Sequence, residues 1–245
     1  VVAFAVVTAI CAATPRGSAA VAELSDAFIQ RVVAQTTREV TLGATRELRA
    51  GMIDGRHDGW MRVTTRVAPG GIFSWEVLDE GGSGRTRDRV LRKLLDAEDE
   101  TWRGEARDRS SITPANYHFA LLDRASNGSV RIRLTPKRSD SSLVDGILTV
   151  DADGAPQTLE GRLARAPSFW VRSVTIVKQF DRIAGVALPV WVESLADLRF
   201  FGQATLVMRY HYHQVNGRRV SHVPVERPAE SPSPEILALH AASRR

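Results

Sequence analysis

Six histidines, at positions 57, 118, 211, 213, 222 and 240, are the residues best suited to metal or acid–base chemistry. His211 and His213 stand two apart in an alternating segment, so both project from one face of a strand, where they could share a metal ion. No Asp, Glu or Cys stands beside them, and Arg209 on the same face would repel a cation. A solvent-facing polar row suits them better, and neither a metal nor a cofactor is expected. Gly81-Gly82-Ser83-Gly84 resembles a nucleophile elbow only in part. Arg85 stands where G-x-S-x-G needs its last glycine, and the spacing and lysine of a phosphate loop are missing. A flexible loop before a helix accounts for it. The carboxylate pairs Asp96/Asp99 and Asp151/Asp153 fall at a helix end and in a turn, where solvation rather than a shared proton is expected. No catalytic residue is assigned, and the chain is not expected to be an enzyme.

Composition narrows the classes further. The chain has 245 residues, 43% hydrophobic and 25% charged, enough to bury a core and too apolar for wholesale disorder. A single cysteine excludes a disulfide-stapled fold. The net charge of +5 comes from 33 basic residues, all but three of them arginine. A basic chain invites a nucleic-acid reading, but sheet-based readers interleave exposed aromatics with basic residues on one face. Here aromatics and arginines alternate onto opposite faces, so no nucleic acid is expected. The basic exterior would favour an anionic membrane surface or an acidic partner.

Residues 1–13, VVAFAVVTAICAA, carry no charge and are followed by Pro15 and Arg16-Gly17-Ser18-Ala19-Ala20. The run is shorter than the roughly 20 residues a bilayer span takes. With a breaker and small residues at Ser18 and Ala20, it predicts a secretory signal peptide over 1–20 and a periplasmic protein. The basic leader is missing, which reads as truncation; a buried N-terminal strand is the competing reading. Bulky Ile10 precedes Cys11 where a lipoprotein signal has a small residue, so Cys11 belongs to the apolar run.

The rest of the chain is dominated by strands. Leu24, Phe28 and Val32 predict a helix over about 22–37, and Val90, Leu91, Leu94 and Leu95 another over 86–100, closed by Glu98 to Glu100. Period-two alternation then recurs: Met61, Val63, Val67; Phe73, Trp75, Val77; Tyr117, Phe119, Leu121; Val130, Ile132, Leu134; Leu206, Met208, Tyr210, Tyr212. Asn127-Gly128, Asp153-Gly154 and Ala184-Gly185 mark hairpin turns. The pattern predicts a mainly β (α+β) fold of about nine to eleven antiparallel strands, over residues 21–217. Pro224, Pro228, Pro232 and Pro234 mark 218–245 as a Pro-rich tail without fixed structure, in which only Ile236-Leu237-Ala238-Leu239 could dock.

The most distinctive text lies between 167 and 212: Pro167-Ser168-Phe169-Trp170-Val171-Arg172, Leu188-Pro189-Val190-Trp191-Val192-Glu193-Ser194, Asp197-Leu198-Arg199-Phe200-Phe201-Gly202, and the strand ending in Tyr210 and Tyr212. With the hairpin from Leu143 to Val150 and its Asp153-Gly154 turn, it resembles the LolA-like outer-membrane lipoprotein-sorting proteins. That resemblance implies an unclosed antiparallel β-barrel with amphipathic helices against its concave face. It also implies a monomeric periplasmic carrier of lipoprotein acyl chains or related lipids, working between an inner-membrane donor complex and an outer-membrane acceptor. The expected apolar lining is Phe73, Trp75, Phe119, Ile132, Leu148, Trp170, Leu206, Met208 and Tyr210. The resemblance does not reach a lid-latching arginine, since nearly every strand carries an arginine. Two rivals remain: a non-transporting module of the same fold that senses lipids or lipoproteins, and a periplasmic hydrolase, which needs a histidine and a carboxylate converging in a cleft.

Overall fold

A computed structural model describes residues 24–102, 104–223 and 232–242. The expected signal peptide over 1–20 lies outside the described residues. Ser25 accepts a hydrogen bond from the Phe28 N–H and caps helix α1, Asp26–Thr36, which buries Phe28 and Val32. Three hairpin-linked strands follow: β1 (Leu42–Met52), β2 (Gly59–Ala68) and β3 (Ile72–Gly82). The chain then leaves the sheet as helix α2, residues 84–101, in which Gly84–Thr86 and Arg92–Thr101 flank a π-helical turn, Arg87–Leu91. A short helix α3, Gly104–Ser110, leads to a second run of strands. These are β4 (Tyr117–Arg124), β5 (Val130–Pro136), β6 (Val144–Val150), β7 (Pro156–Leu163), β8 (Val171–Ile183), β9 (Val186–Leu198) and β10 (Gly202–Val215).

Every pairing is antiparallel, in the order β3-β2-β1-β10-β9-β8-β7-β6-β5-β4, with a two-residue β11 (Arg218–Arg219) added to β10. The eleven strands form the unclosed barrel that the alternation and the resemblance led us to expect. β3 and β4 are its two open edges, and α2 and α3 form the connection between them. The connection therefore crosses the opening, and α2 packs on β1, β2 and β3. α1 touches β7 and β9, the contact of a helix lodged inside a curved sheet.

Two features curl the sheet. Bulges interrupt the register at several pairs, among them Gly43/Ala44, Arg62/Val63 and Gln179/Phe180, and each adds local twist. On the inner face Gly146 and Gly161 sit opposite one another, and a Cβ on either would lie 2.7 or 2.6 Å from the other's Cα. Only a glycine pair allows the two backbones so close.

The Gly81–Gly84 stretch is more ordered than a flexible loop: β3 runs through Gly82, and Ser83 caps α2 by accepting from the Thr86 N–H at 3.3 Å. The expectation for the tail needs a larger correction. Residues 218–219 add to the sheet, and Pro234–Ala242 form a helix, α4, that docks on β8 and β9. A nine-residue helix is not stable alone in water; burial of Ile236 and His240 against the sheet makes it one.

Candidate functional site

The concave face divides into two apolar clusters. Phe73, Met208 and Tyr210 are buried with Leu91 and Leu95 of α2, and Trp75 and Leu206 are half-buried against the same group. Ile132 and Leu148 are buried under α1, with Phe119 half-buried beside them. Ile176 of β8 packs on both clusters. Eight of the nine expected lining residues thus fall on these two clusters. Trp170 does not: it is 57% exposed in the turn before β8, because β8 begins only at Val171.

The helices fill this face. Leu91 and Leu95 of α2 and Val32 of α1 are inaccessible to solvent, each worth roughly 1.5–3 kcal/mol of burial. A cavity of about 150 Å³ opens at one rim, between Trp102, the β2–β3 turn and the start of β1. It is well below the roughly 300–1,000 Å³ typical of ligand sites. A groove of about 600 Å³ lies on the opposite, convex face, where Glu47, Arg49, Arg62 and Arg209 make it polar. An apolar ligand that reaches the residues buried beneath α1 or α2 must displace a helix.

What ties α2 down is a group the sequence did not single out. Arg46 projects inward from β1 between Ala44 and Leu48, and its side chain is 5% exposed. Its two terminal nitrogens donate to both Glu98 carboxylate oxygens, at 2.6 and 2.9 Å. The guanidinium lies 4.6 Å from the Tyr210 ring and 5.5 Å from that of Phe73. Burial pulls its pKa down, but Tyr210, Glu98 and Tyr212 outweigh that and leave it above the ordinary arginine value. Burial also pushes Tyr210 up to about 12, and it lowers Lys178, the other base that feels Glu98. The Arg46 Nε has no hydrogen-bond partner among the described residues, a cost of roughly 1–3 kcal/mol. The tie is thus specific in geometry and incomplete in satisfaction.

A signal for it was present in the sequence. Arg46 falls in phase with Leu42, Ala44, Leu48 and Ala50 on an alternating strand, and Glu98 lies seven residues after Leu91 on the helical stripe of Leu91 and Leu95. Glu98 thus does more than close the helix: it turns onto the concave face to meet Arg46. Other α2 charges are also engaged: Arg87 and Arg92 pair with Glu80 at the end of β3, at 3.4 and 2.6 Å.

On the convex face a hydroxyl, an imidazole and a carboxylate converge. His240 of α4 places Nδ1 2.8 Å from the Thr175 hydroxyl and Nε2 3.1 Å from an Asp197 carboxylate oxygen. All three are buried beneath α4, so no substrate reaches them, and the arrangement fastens the helix. Ser233 adds to it, donating from its N–H and hydroxyl to the two Glu193 oxygens at 2.9 and 2.6 Å. His211 and His213 are exposed. Arg209 stacks on Trp191 at 5.1 Å. Among the described residues no three His, Cys, Asp or Glu side chains converge as metal ligands, and no helix is long and apolar enough to cross a membrane.

No protein-family profile and no curated protein sequence matches the chain. Solved structures do. A LolA superfamily protein of Nitrosomonas europaea is 13% identical over 79% of this chain and 93% of its own, with a TM-score of 0.44. A DUF1329 family protein of Desulfovibrio piger is 8% identical over 82% and 94%, with a TM-score of 0.40. MucB is 12% identical over 76% and 92%, with a TM-score of 0.26.

Proposed function

We propose that this chain is a periplasmic carrier that takes up acyl chains of lipoproteins, or related lipids, on its concave face for outer-membrane lipoprotein sorting. The observation that carries the reading is how that face is covered. The lining of an unclosed sheet is capped by a connecting helix rather than by a second sheet. Cargo displacing α2 would exchange apolar helix contacts for acyl contacts, and each buried CH₂ contributes about 0.8 kcal/mol. The Arg46–Glu98 pair would set the closed register and return the helix after release.

The test is mass spectrometry of lipids bound to protein purified from membrane extract, alongside titration with a fluorescent fatty acid. Bound lipid and saturable uptake are expected, with Trp75→Arg abolishing uptake while the thermal midpoint falls only modestly. Absence of lipid in the purified protein together with no uptake would overturn the reading. So would equal loss of uptake and fold in Trp75→Arg, which would make the lining plain core.

A further inference from the structure

The end of the half-barrel where β7 leads into β8 and β9 turns into β10 presents four large aromatics to solvent. Phe169, Trp170, Phe200 and Phe201 are 69%, 57%, 67% and 62% exposed. Three of them form a cluster, with Phe201 next in sequence: Trp170 meets Phe169 edge-on at 5.6 Å and Phe200 at 5.9 Å. Arg199 locks the two turns together. Its backbone N–H donates to the Trp170 carbonyl at 2.9 Å, and its Nε donates to the Phe169 carbonyl at 2.6 Å. Ile53, 43% exposed, sits at the same end, where its N–H donates to the Gln203 carbonyl. Each aromatic ring offers about 150–250 Å² for burial. A contiguous exposed patch of this kind marks a surface that meets another apolar phase.

The charges around it point to which phase. Over 164–172 and 198–202 the charged residues are Arg165, Arg172 and Arg199, all exposed, and there is no acid. The neighbouring Asp197 is buried beneath α4 and bonded to Ser173, Gln203 and His240. Phenylalanines around a tryptophan, with arginine the only charged residue in the two turns that carry them and the nearby Asp54 paired with Arg56, have the composition of an interfacial anchor on an anionic bilayer. The rings stand on turns rather than on strands, at 169–170 before β8 and at 199–201 between β9 and β10.

We propose that this aromatic tip is a membrane-docking surface, which seats its rings at the headgroup–acyl boundary of a bilayer containing anionic lipid while Arg165, Arg172 and Arg199 meet the headgroups. This goes beyond the carrier reading, because docking does not depend on what the concave face holds. The test uses the full chain with Cys11→Ser and Phe201→Cys, labelled at position 201 with an environment-sensitive dye. The same dye on Asn127→Cys, in the turn at the opposite end, is the control. On adding phosphatidylcholine vesicles containing phosphatidylglycerol, emission at 201 should shift to the blue and be quenched by spin-labelled lipid, and the dye at 127 should not respond. Phe169→Ser with Phe200→Ser should weaken vesicle affinity at least about tenfold, and Arg165→Gln or Arg172→Gln about fivefold, with the thermal midpoint unchanged. A silent dye at 201, or equal response at both positions, would overturn docking through this tip. Equal affinity for vesicles lacking phosphatidylglycerol would overturn the role of the arginines. A response at 201 that follows protein concentration without vesicles would replace the bilayer by a second copy of the chain. Failure to bind acyl ligand would count against the carrier reading and leave this one standing.

Discussion

Two helices dock on opposite faces of the same sheet, and they are held differently. Inside, α2 buries Leu91 and Leu95 completely and adds a bidentate ion pair among tyrosines. Outside, α4 buries Ile236 and relies on polar contacts, His240 with Thr175 and Asp197, and Ser233 with Glu193. The inner helix is part of the connection between the two open edges, so it cannot leave without exposing the largest apolar cluster. The outer helix follows the last strand of the sheet and can lift off while the sheet stays closed over its core. The same kind of element is thus structural on one face and an attachment on the other. The difference lies in what each uncovers when it moves.

The sharpest way to break this contrast is Glu98→Ala. It leaves Arg46 buried and Lys178 half-buried without their acid, and unfolding in urea should report a loss of about 3 kcal/mol. Replacing Arg46 and Glu98 together by methionine should recover most of that loss, because no unpaired charge remains. If the single variant costs nothing, the inner tie is ornamental and the proposed latch fails.

Ile236→Ala probes the outer helix. The side chain is fully buried, and such a truncation removes about 2 kcal/mol or more. Here the loss should appear locally: amide exchange over 236–240 should accelerate at least about thirtyfold, with the urea midpoint nearly unchanged. A matching global loss would show that the two helices are equally integral. His240→Phe removes the partner of Thr175 and Asp197 and should act in the same local way, by about 1–2 kcal/mol.

The smallest effect concerns a charge remote from both helices. Asp140, in the β5–β6 turn, is held down to about 2 from its ordinary 3.8, foremost by the Ser142 backbone N–H, and also by Arg109 and Arg138. A carboxyl depressed on folding contributes stability above its unfolded value, and that contribution is lost as pH falls from about 4 towards 2. Asp140→Asn should therefore lower the thermal midpoint slightly at neutral pH and converge with the parent at pH 2. An unchanged difference across that range would show that the effect is not electrostatic.

Much of this architecture was legible in the residue pattern. Met61, Val63 and Val67 read directly as one buried face of β2, and Asn127-Gly128 and Ala184-Gly185 as the turns they are, with positive φ at Gly128, Ala184 and Gly185. Local pattern also predicted both inner helices, since their apolar stripes repeat at helical spacing. The candidate site was less legible. Trp170 is apolar and adjacent to a strand, but whether it faces in or out depends on where that strand starts. The helix at 234–242 carries too few residues to announce itself, and it exists because β8 and β9 offer it a place.

By itself, then, the order of residues determined an antiparallel sheet of about nine to eleven strands, many of its turns and the buried face of its alternating strands, because period, glycine placement and apolar stripes act over a few residues. Only the tertiary structure decided that Arg46 meets Glu98 across 52 positions, that His240 reaches Thr175 across 65, and that Phe169 and Phe200 gather on one tip. Those pairings depend on which strands become neighbours when the sheet curls, and burial rewards a contact without regard to distance along the chain.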